Sequence, residues 1–270
     1  MRHGSGLWKL PSGEEHHGLY HQDSRHGHGT LIYADTSEYT GEFVNGQQQG
    51  SCKYRDRHGI DYEGEWVSNH RLSDGSCYNG LWKDGREDGF GTCRYLHGEE
   101  YQGQYCNGTP HGRGVSSYNG GANYDGLFAY GQRNGLGKFV AANGEEYEGE
   151  WKDDSRHGEG RWTHPNGDSH EGQYRNNVWH GRGCFTHADG SQYKGEFVQG
   201  ERQGQCSFKD WRDYEHTGEW ASNRVLSDGS RYDGLWENDK AHGCGTCWHQ
   251  NGDVYKGESR ASCLSPPVIV

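Results

Sequence analysis

Apolar and polar side chains alternate along this chain in a short phrase that returns again and again. At Tyr147-Glu148-Gly149-Glu150-Trp151, aromatic and glycine positions alternate with carboxylates. Side chains of a β-strand point to opposite faces in turn. Tyr147, Gly149 and Trp151 therefore share one face, and Glu148 and Glu150 the other. Tyr62-Glu63-Gly64-Glu65-Trp66 repeats the pattern. Aromatic residues favour strands, and they are the main large apolar groups here. Counting Tyr147 as position 1, a second strand is expected to begin near position 14. Position 16 is apolar at Leu31, Tyr54, Phe139, Trp162, Phe185 and Phe208. Glycines at positions 12 and 14 fit a turn with positive φ followed by close backbone approach. Positions 20 and 21, as in Asn143-Gly144 and Asn166-Gly167, carry a hairpin signal. Each unit is thus predicted to be a β-hairpin that is stable only when stacked on its neighbours.

The phrase starts at His16, Tyr39, Tyr62, Tyr78, Tyr101, Tyr124, Tyr147, His170, Tyr193, His216, Tyr232 and Tyr255. Most intervals are 23 residues; the units at 62–77 and 216–231 have 16 and carry Leu-Ser-Asp-Gly-Ser. An offset of 154 residues relates Tyr78 to Tyr232, His16 to His170, Cys52 to Cys206 and Cys93 to Cys247. Residues 1–258 therefore form one continuous array, a seven-unit block partly duplicated, and residues 259–270 an irregular tail. Position 3 is glycine throughout, at Gly41, Gly64, Gly80, Gly103, Gly126, Gly149, Gly172, Gly195, Gly218 and Gly234 among others. Glycine weakens a strand, so these are read as structural: they leave room for a neighbouring unit's ring to lie over the backbone. Two strands at about 4.8 Å spacing advance roughly 10 Å per unit. The predicted fold is all-β, an elongated single-layer solenoid of stacked antiparallel β-hairpins. One face carries rings and glycines, the other Glu, Lys, Gln and Asp.

The phrase at 147–151, His157-Gly158-Glu159-Gly160 and Asn166-Gly167-Asp168 together resemble the MORN (membrane occupation and recognition nexus) repeat. The resemblance extends over essentially the whole chain up to the tail. It implies an elongated array of hairpins with a scaffold or interaction role toward membrane lipid, cytoskeleton or partner proteins. The 16-residue units depart from it by lacking the His-Gly-x-Gly phrase, and their second strand is left unassigned.

Composition supports a repeat architecture without a central core. Only 29 % of residues are hydrophobic and mean hydropathy is −1.20, yet aromatics reach 13 % and stay in frame. That framing argues against disorder. The formal charge of −12 argues against nucleic acid as the main partner. Nine cysteines with no signal-peptide pattern fit reduced thiols in the cytoplasm.

Candidate chemistry is sparse. His26, His111, His157, His180 and His242 recur at position 11, roughly 10 Å apart in stacked units, too far for one zinc. Cys244-Gly245-Thr246-Cys247 is a lone CxxC without a second pair, and Glu99-Glu100, Glu145-Glu146 and Asp153-Asp154 fit a solvated face. No catalytic, cofactor-binding or metal site is expected, and no nucleotide or hydrolase motif is present. A single-layer sheet is expected to leave its ring face partly open, and exposed aromatics mark binding sites. The candidate partner-binding surface is accordingly Trp66, Trp82, Trp151, Trp220 and Trp236. The primary expectation is a non-catalytic scaffold for a protein partner, at a membrane or cytoskeletal structure. A second is the regulatory segment of an enzyme, since MORN-like arrays resemble the leading part of some lysine methyltransferases and plant phosphoinositide kinases. A third is direct phospholipid binding.

Overall fold

The computed structural model describes residues 1–226, 229–237 and 240–259; most of the predicted tail lies outside them. The chain divides into two units, residues 1–134 and 135–270. The first holds β1 (Gly4–Lys9), β2 (Glu15–His21), β3 (Ser24–Ile32), β4 (Glu38–Val44), β5 (Gln47–Arg55), β6 (Asp61–Arg71), β7 (Cys77–Lys83), β8 (Arg86–Arg94), β9 (Glu100–Cys106), β10 (Thr109–Ser117) and β11 (Asn123–Ala129). β12 (Gln132–Val140) spans the boundary. The second unit continues with β13 (Glu146–Lys152), β14 (Ser155–Thr163), β15 (Ser169–Arg175), β16 (Val178–Thr186), β17 (Gln192–Val198), β18 (Glu201–Lys209), β19 (Glu215–Val225), β20 (Arg231–Glu237), β21 (Lys240–Trp248) and β22 (Val254–Ser259). Within each unit, strands adjacent in sequence pair antiparallel, as β4 does with β3 and β5, and β15 with β14 and β16. Each unit is thus an all-β sheet of hairpins, as the alternation predicts.

The hairpin turn differs from its predicted place. The phrase-bearing strand β13 joins β14 through Asp153 and Asp154, at φ 47° and 64°. Asn45-Gly46 and Asn107-Gly108 do the same at 50° and 85°, and 50° and 84°. Positive φ at both central residues is the type I′ requirement, whose twist matches that of the strands. The second strand therefore begins at position 9, not near position 14. The Asn-Gly at positions 20 and 21 lies in a five-residue loop, closed at His164 N–H to Asp168 O (2.8 Å).

The positive-φ glycine at position 12 belongs to a bulge rather than a turn. Gly149 opposes Gly160, whereas Glu150 opposes His157, so Gly158 and Glu159 bulge, with Gly158 at φ 57°. The position-4 side chain folds back over the bulge: Glu159 N–H donates to Glu150 Oε1 (3.0 Å), and Arg113 N–H to Gln104 Oε1 (2.8 Å). Glu150 is thus more than a solvated carboxylate. Glu150→Ala should cost about 1 kcal/mol, the worth of one hydrogen bond. Glu150→Gln, which keeps the acceptor, should stay within about 0.5 kcal/mol of wild type. Urea melts of the two variants check this, and equal stabilities would refute the cap.

Glycines at positions 3 and 14 stand in one column across the strands, Gly137, Gly149, Gly160, Gly172, Gly183 and Gly195 in mutual register. The ring over them is the unit's own position-1 tyrosine, not a neighbour's. A Cβ on Gly160 would lie 2.3 Å from the Tyr147 hydroxyl oxygen. That hydroxyl donates to Glu150 O (3.0 Å), and Tyr39, Tyr78, Tyr101, Tyr124 and Tyr193 bond the equivalent carbonyl.

The 16-residue units contain one strand instead of two. β6 and β19, each 11 residues long, pair with the preceding strand through one half and the following strand through the other. Losing a strand reverses the direction of every later phrase. The register also moves its rings to the opposite side of the sheet. Trp66 opposes Leu81, and Trp82 opposes Glu65; opposed residues project to the same side. In the second unit Trp220 opposes Leu235 and Trp236 opposes Glu219. Leu81 accordingly packs with Leu31, Tyr39, Phe43 and Trp66, while Tyr78 and Trp82 lie behind the sheet. Bulges near Val67–His70 and Ala221–Arg224 absorb the mismatch.

Candidate functional site

Rings predicted to face a partner are mostly buried. Trp66, Trp151, Trp220 and Trp236 are only 4–6 % exposed, and Trp82 is half-buried. Their burial comes from contact between repeats. Position 1 of one unit meets position 5 of the next edge to face: Tyr39–Trp66 (5.3 Å), Tyr78–Tyr105 (5.2 Å), Tyr101–Phe128 (5.0 Å), Tyr147–Tyr174 (5.0 Å) and Tyr193–Trp220 (5.3 Å). Such pairs add about 0.5–1.5 kcal/mol beyond their area. Position-10 arginines cover the ladder from outside; the Arg202 guanidinium sits 5.1–5.3 Å from the Phe185, Tyr193 and Trp220 ring centres. The expectation of an open ring face is corrected: these tryptophans are the core of a fold that lacks a second layer.

The accessible surface is the polar face and the loop rims. Cross-strand pairs stud the former: Lys53–Glu63 (2.7 Å), Arg55–Asp61 (2.6 Å), Arg94–Glu100 (2.6 Å) and Lys138–Glu146 (2.7 Å). In the second unit a groove of about 990 Å³ runs along this face over β14–β18, bordered by Glu159, Arg161, Glu171, Arg182 and Lys194.

A second concavity lies where the ring face of β16–β19 gives way to the polar face of β20–β22. This cleft, about 890 Å³, has Phe208, His216 and Trp220 on its floor, with Arg202, Asp233 and Lys256 beside them. Trp211 and Tyr214, 62 % and 65 % exposed, stand on its rim. The Trp211 ring carries the Arg212 guanidinium 4.5 Å from its centre. Sequence reasoning missed this site. Its signal is Asp210-Trp211-Arg212-Asp213-Tyr214, a loop that places two aromatics outside the repeat frame.

Other candidate groups serve local structure. Asp153 and Asp154 form a turn, while Glu100 and Glu146 are bound in the cross-strand pairs above. Burial pushes the thiols of Cys93 and Cys206 up to about 11 and of Cys52 up to about 12, which makes them poor nucleophiles. Cys247 is buried; the Cys244 side chain lies outside the described residues. Among the described residues no three His, Cys, Asp or Glu side chains converge on a metal position.

The MORN repeat profile matches residues 16–38, 39–57, 78–95, 101–122, 124–146, 147–169, 170–192, 193–210 and 232–254. It passes over both single-strand units, in keeping with their missing second strand. A search of curated proteins finds no match. Among solved structures, the TCP domain of Drosophila melanogaster SAS-4 in complex with a proline-rich motif of Ana2 is similar at 9 % identity, with 70 % of this chain and 88 % of that chain covered and a TM-score of 0.33. The TCP10 domain of Danio rerio CPAP in complex with a STIL peptide is similar at 11 % identity, covering 95 % and 100 % with a TM-score of 0.27. These scores are too low to transfer any property of those proteins. The repeats themselves are decisive: in phrase, spacing and hairpin geometry, the chain belongs to the MORN repeat family.

Proposed function

We propose that this chain is a non-catalytic scaffold that holds a protein partner against its polar faces and loop rims. The observation that carries the reading is the division of labour within each repeat. Rings are consumed by the ladder between units, so the surface left for a partner is charged, corrugated and the same kind in every repeat. Long repetitive surfaces suit extended partners. Cys52, Cys77, Cys93, Cys106, Cys184 and Cys206 are free thiols, which supports a reducing compartment such as the cytosol. The test is affinity purification of the tagged full chain from its native cells, alongside sedimentation with phosphatidylcholine vesicles, with and without phosphatidylserine or a phosphoinositide. A stoichiometric protein partner, with no sedimentation on any vesicle, is the expected result. Sedimentation on anionic vesicles in the absence of protein would replace the scaffold with a lipid-binding module.

A further inference from the structure

The 154-residue duplication presents one loop-to-strand contact twice, once neutral and once charged. In the first copy Gln48 Nε2–H donates to the Tyr33 hydroxyl (2.5 Å). In the second, His187 and Arg202 stand in their places, with Arg202 Nη2 2.9 Å from His187 Nε2. The surroundings match. Tyr33 and His187 each open a five-residue loop, closed by their N–H on Ser37 O and Ser191 O (both 2.8 Å). Asp35 Oδ1 accepts from Ser37 N–H (3.1 Å), as Asp189 Oδ1 does from Ser191 N–H (2.9 Å). Ser68 Oγ–H donates to Gln48 O (2.6 Å), as Ser222 Oγ–H does to Arg202 O (3.0 Å). Beside them Asn79 becomes Asp233, each accepting from a tryptophan Nε1–H (3.0 and 2.7 Å).

We propose that the His187–Arg202 contact is a proton-sensitive latch, holding the loop His187–Ser191 on β18 while the imidazole is neutral and releasing it when His187 takes up a proton. A guanidinium stays protonated and offers only N–H groups. His187 Nε2 is therefore the bare acceptor, with the ring proton on Nδ1. A second proton can land only on Nε2, where it sets N–H against N–H and one positive charge beside another. Neither partner is free to step aside. The guanidinium lies 5.1–5.3 Å from the Phe185, Tyr193 and Trp220 ring centres, with Asp233 of β20 facing it. The imidazole lies edge-on to Phe185 (4.7 Å). Four charged groups face His187: Arg202 on β18, Lys256 on β22, Asp168 in the preceding loop and Asp189 in its own. Both carboxylates are engaged with loop backbone, Asp168 Oδ1 accepting from Ala188 N–H (2.8 Å) and Asp189 Oδ1 from Ser191 N–H. Burial, and then Arg202, hold the imidazole below its ordinary value. The latch is thus fully closed above about pH 6.5 and weakens as pH falls, because the opened loop takes a proton that the closed one refuses. In the first copy neither Tyr33 nor Gln48 titrates between pH 7 and pH 5.

The latch asks nothing of a partner and stands apart from the scaffold reading. Its test is amide hydrogen exchange of the full chain at pH 7, 6 and 5, corrected for the intrinsic exchange rate at each pH. Exchange in His187–Ser191 should accelerate roughly tenfold from pH 7 to pH 5 relative to Tyr33–Ser37 in the same chain. Buried His16 and His170 occupy matching places in the two copies, so they load both loops alike and the difference belongs to the latch. In the double variant His187→Tyr/Arg202→Gln, which rebuilds the neutral pair of the first copy, the two loops should stay within about twofold of each other. If a melt shows that chain unfolded, Arg202→Gln alone decides, and the acid acceleration should shrink at least about threefold. Equal acceleration of the two loops in wild type, or undiminished acceleration in the deciding variant, overturns the proposal.

Discussion

Gly149→Ala should destabilise the protein by roughly 3 kcal/mol or more, whereas Gly64→Ala, at the same repeat position, should cost less than about 1 kcal/mol. The added Cβ on Gly149 would lie 2.5 Å from Gly160 Cα and 2.6 Å from Glu159 O. These are backbone atoms of the bulged partner strand and cannot step aside as a side-chain tip can. Gly64 lies in a single-strand unit with no bulged partner. There the nearest atom is Leu81 Cδ2 at 3.3 Å, the end of a flexible side chain. Gly218, the same position in the duplicate, has Trp236 O at 3.3 Å and Leu235 Cδ2 at 3.4 Å, and should behave like Gly64. Denaturant melts of the three variants give the comparison. Equal losses at Gly149 and Gly64 would show that the bulge does not dictate glycine and that backbone entropy alone does. Gly149→Val should be worse than alanine despite valine's strand preference, because it adds volume at the same closed point.

The repeat, its strand periodicity and the polar character of one face were legible because they are local. The two-residue period places Tyr147 with Trp151 whatever the rest of the chain does. Turn placement was harder. Both Asp153-Asp154 and Asn166-Gly167 are good turn sequences, and only pairing register shows which one closes the two-residue hairpin. Bulge geometry then follows from Gly158. The ring ladder was half legible: alternation puts Tyr147 and Trp151 on one face, but the burial of such rings arises from contacts such as Tyr147 with Tyr174, one repeat apart. A one-unit view of the face cannot include that contact.

Face reversal had no distinct signal at position 4, which is Glu or Gln in most units and leucine at Leu19, Leu81, Leu127 and Leu235. Leu19 and Leu127 are exposed and Leu81 and Leu235 buried, which requires that in the units after the single-strand units this side of the strand packs on the ring cluster of the preceding block. It does, against Trp66 and Trp220 respectively. Omitting one strand therefore makes a step in which core and surface exchange sides. Such a step creates a border where an apolar floor meets a polar wall, and this places the cleft beside Phe208 and Trp220 at a reversal rather than elsewhere along the repeats.

Acidification from pH 7 to pH 4 should weaken the fold through His16 and His170, which stand at position 1 where most units have tyrosine. His170 is fully buried, stacked on Trp179 (4.8 Å) and edge-on to Phe197 (4.9 Å), with Nδ1 3.0 Å from the Tyr174 hydroxyl. His16 is 3 % exposed and makes the same bond to Tyr20 (2.9 Å). Burial holds both imidazoles down to about 4, and the positive charges of Arg202 and Arg25 push in the same direction. In the unfolded chain each would titrate near 6.5. Between these values the unfolded state takes a proton that the folded state refuses. Stability is therefore full above about pH 6.5, falls as pH drops, and has lost roughly 3 kcal/mol per histidine by about pH 4. Carboxylates titrate in the lower part of this window, so the informative quantity is the difference between wild type and His170→Tyr. The chain already holds tyrosine at both positions in the Tyr101–Tyr105 unit, where the Tyr101 hydroxyl donates to Gln104 O at 2.8 Å. A tyrosine at 170 should reach Gln173 O in the same way and relieve the proton penalty. Melts at half-unit pH steps should then show His170→Tyr and wild type converging near pH 7 and diverging steadily toward pH 4. Parallel curves would mean that His170 becomes protonated in place, and that the ring ladder tolerates a charge at its centre.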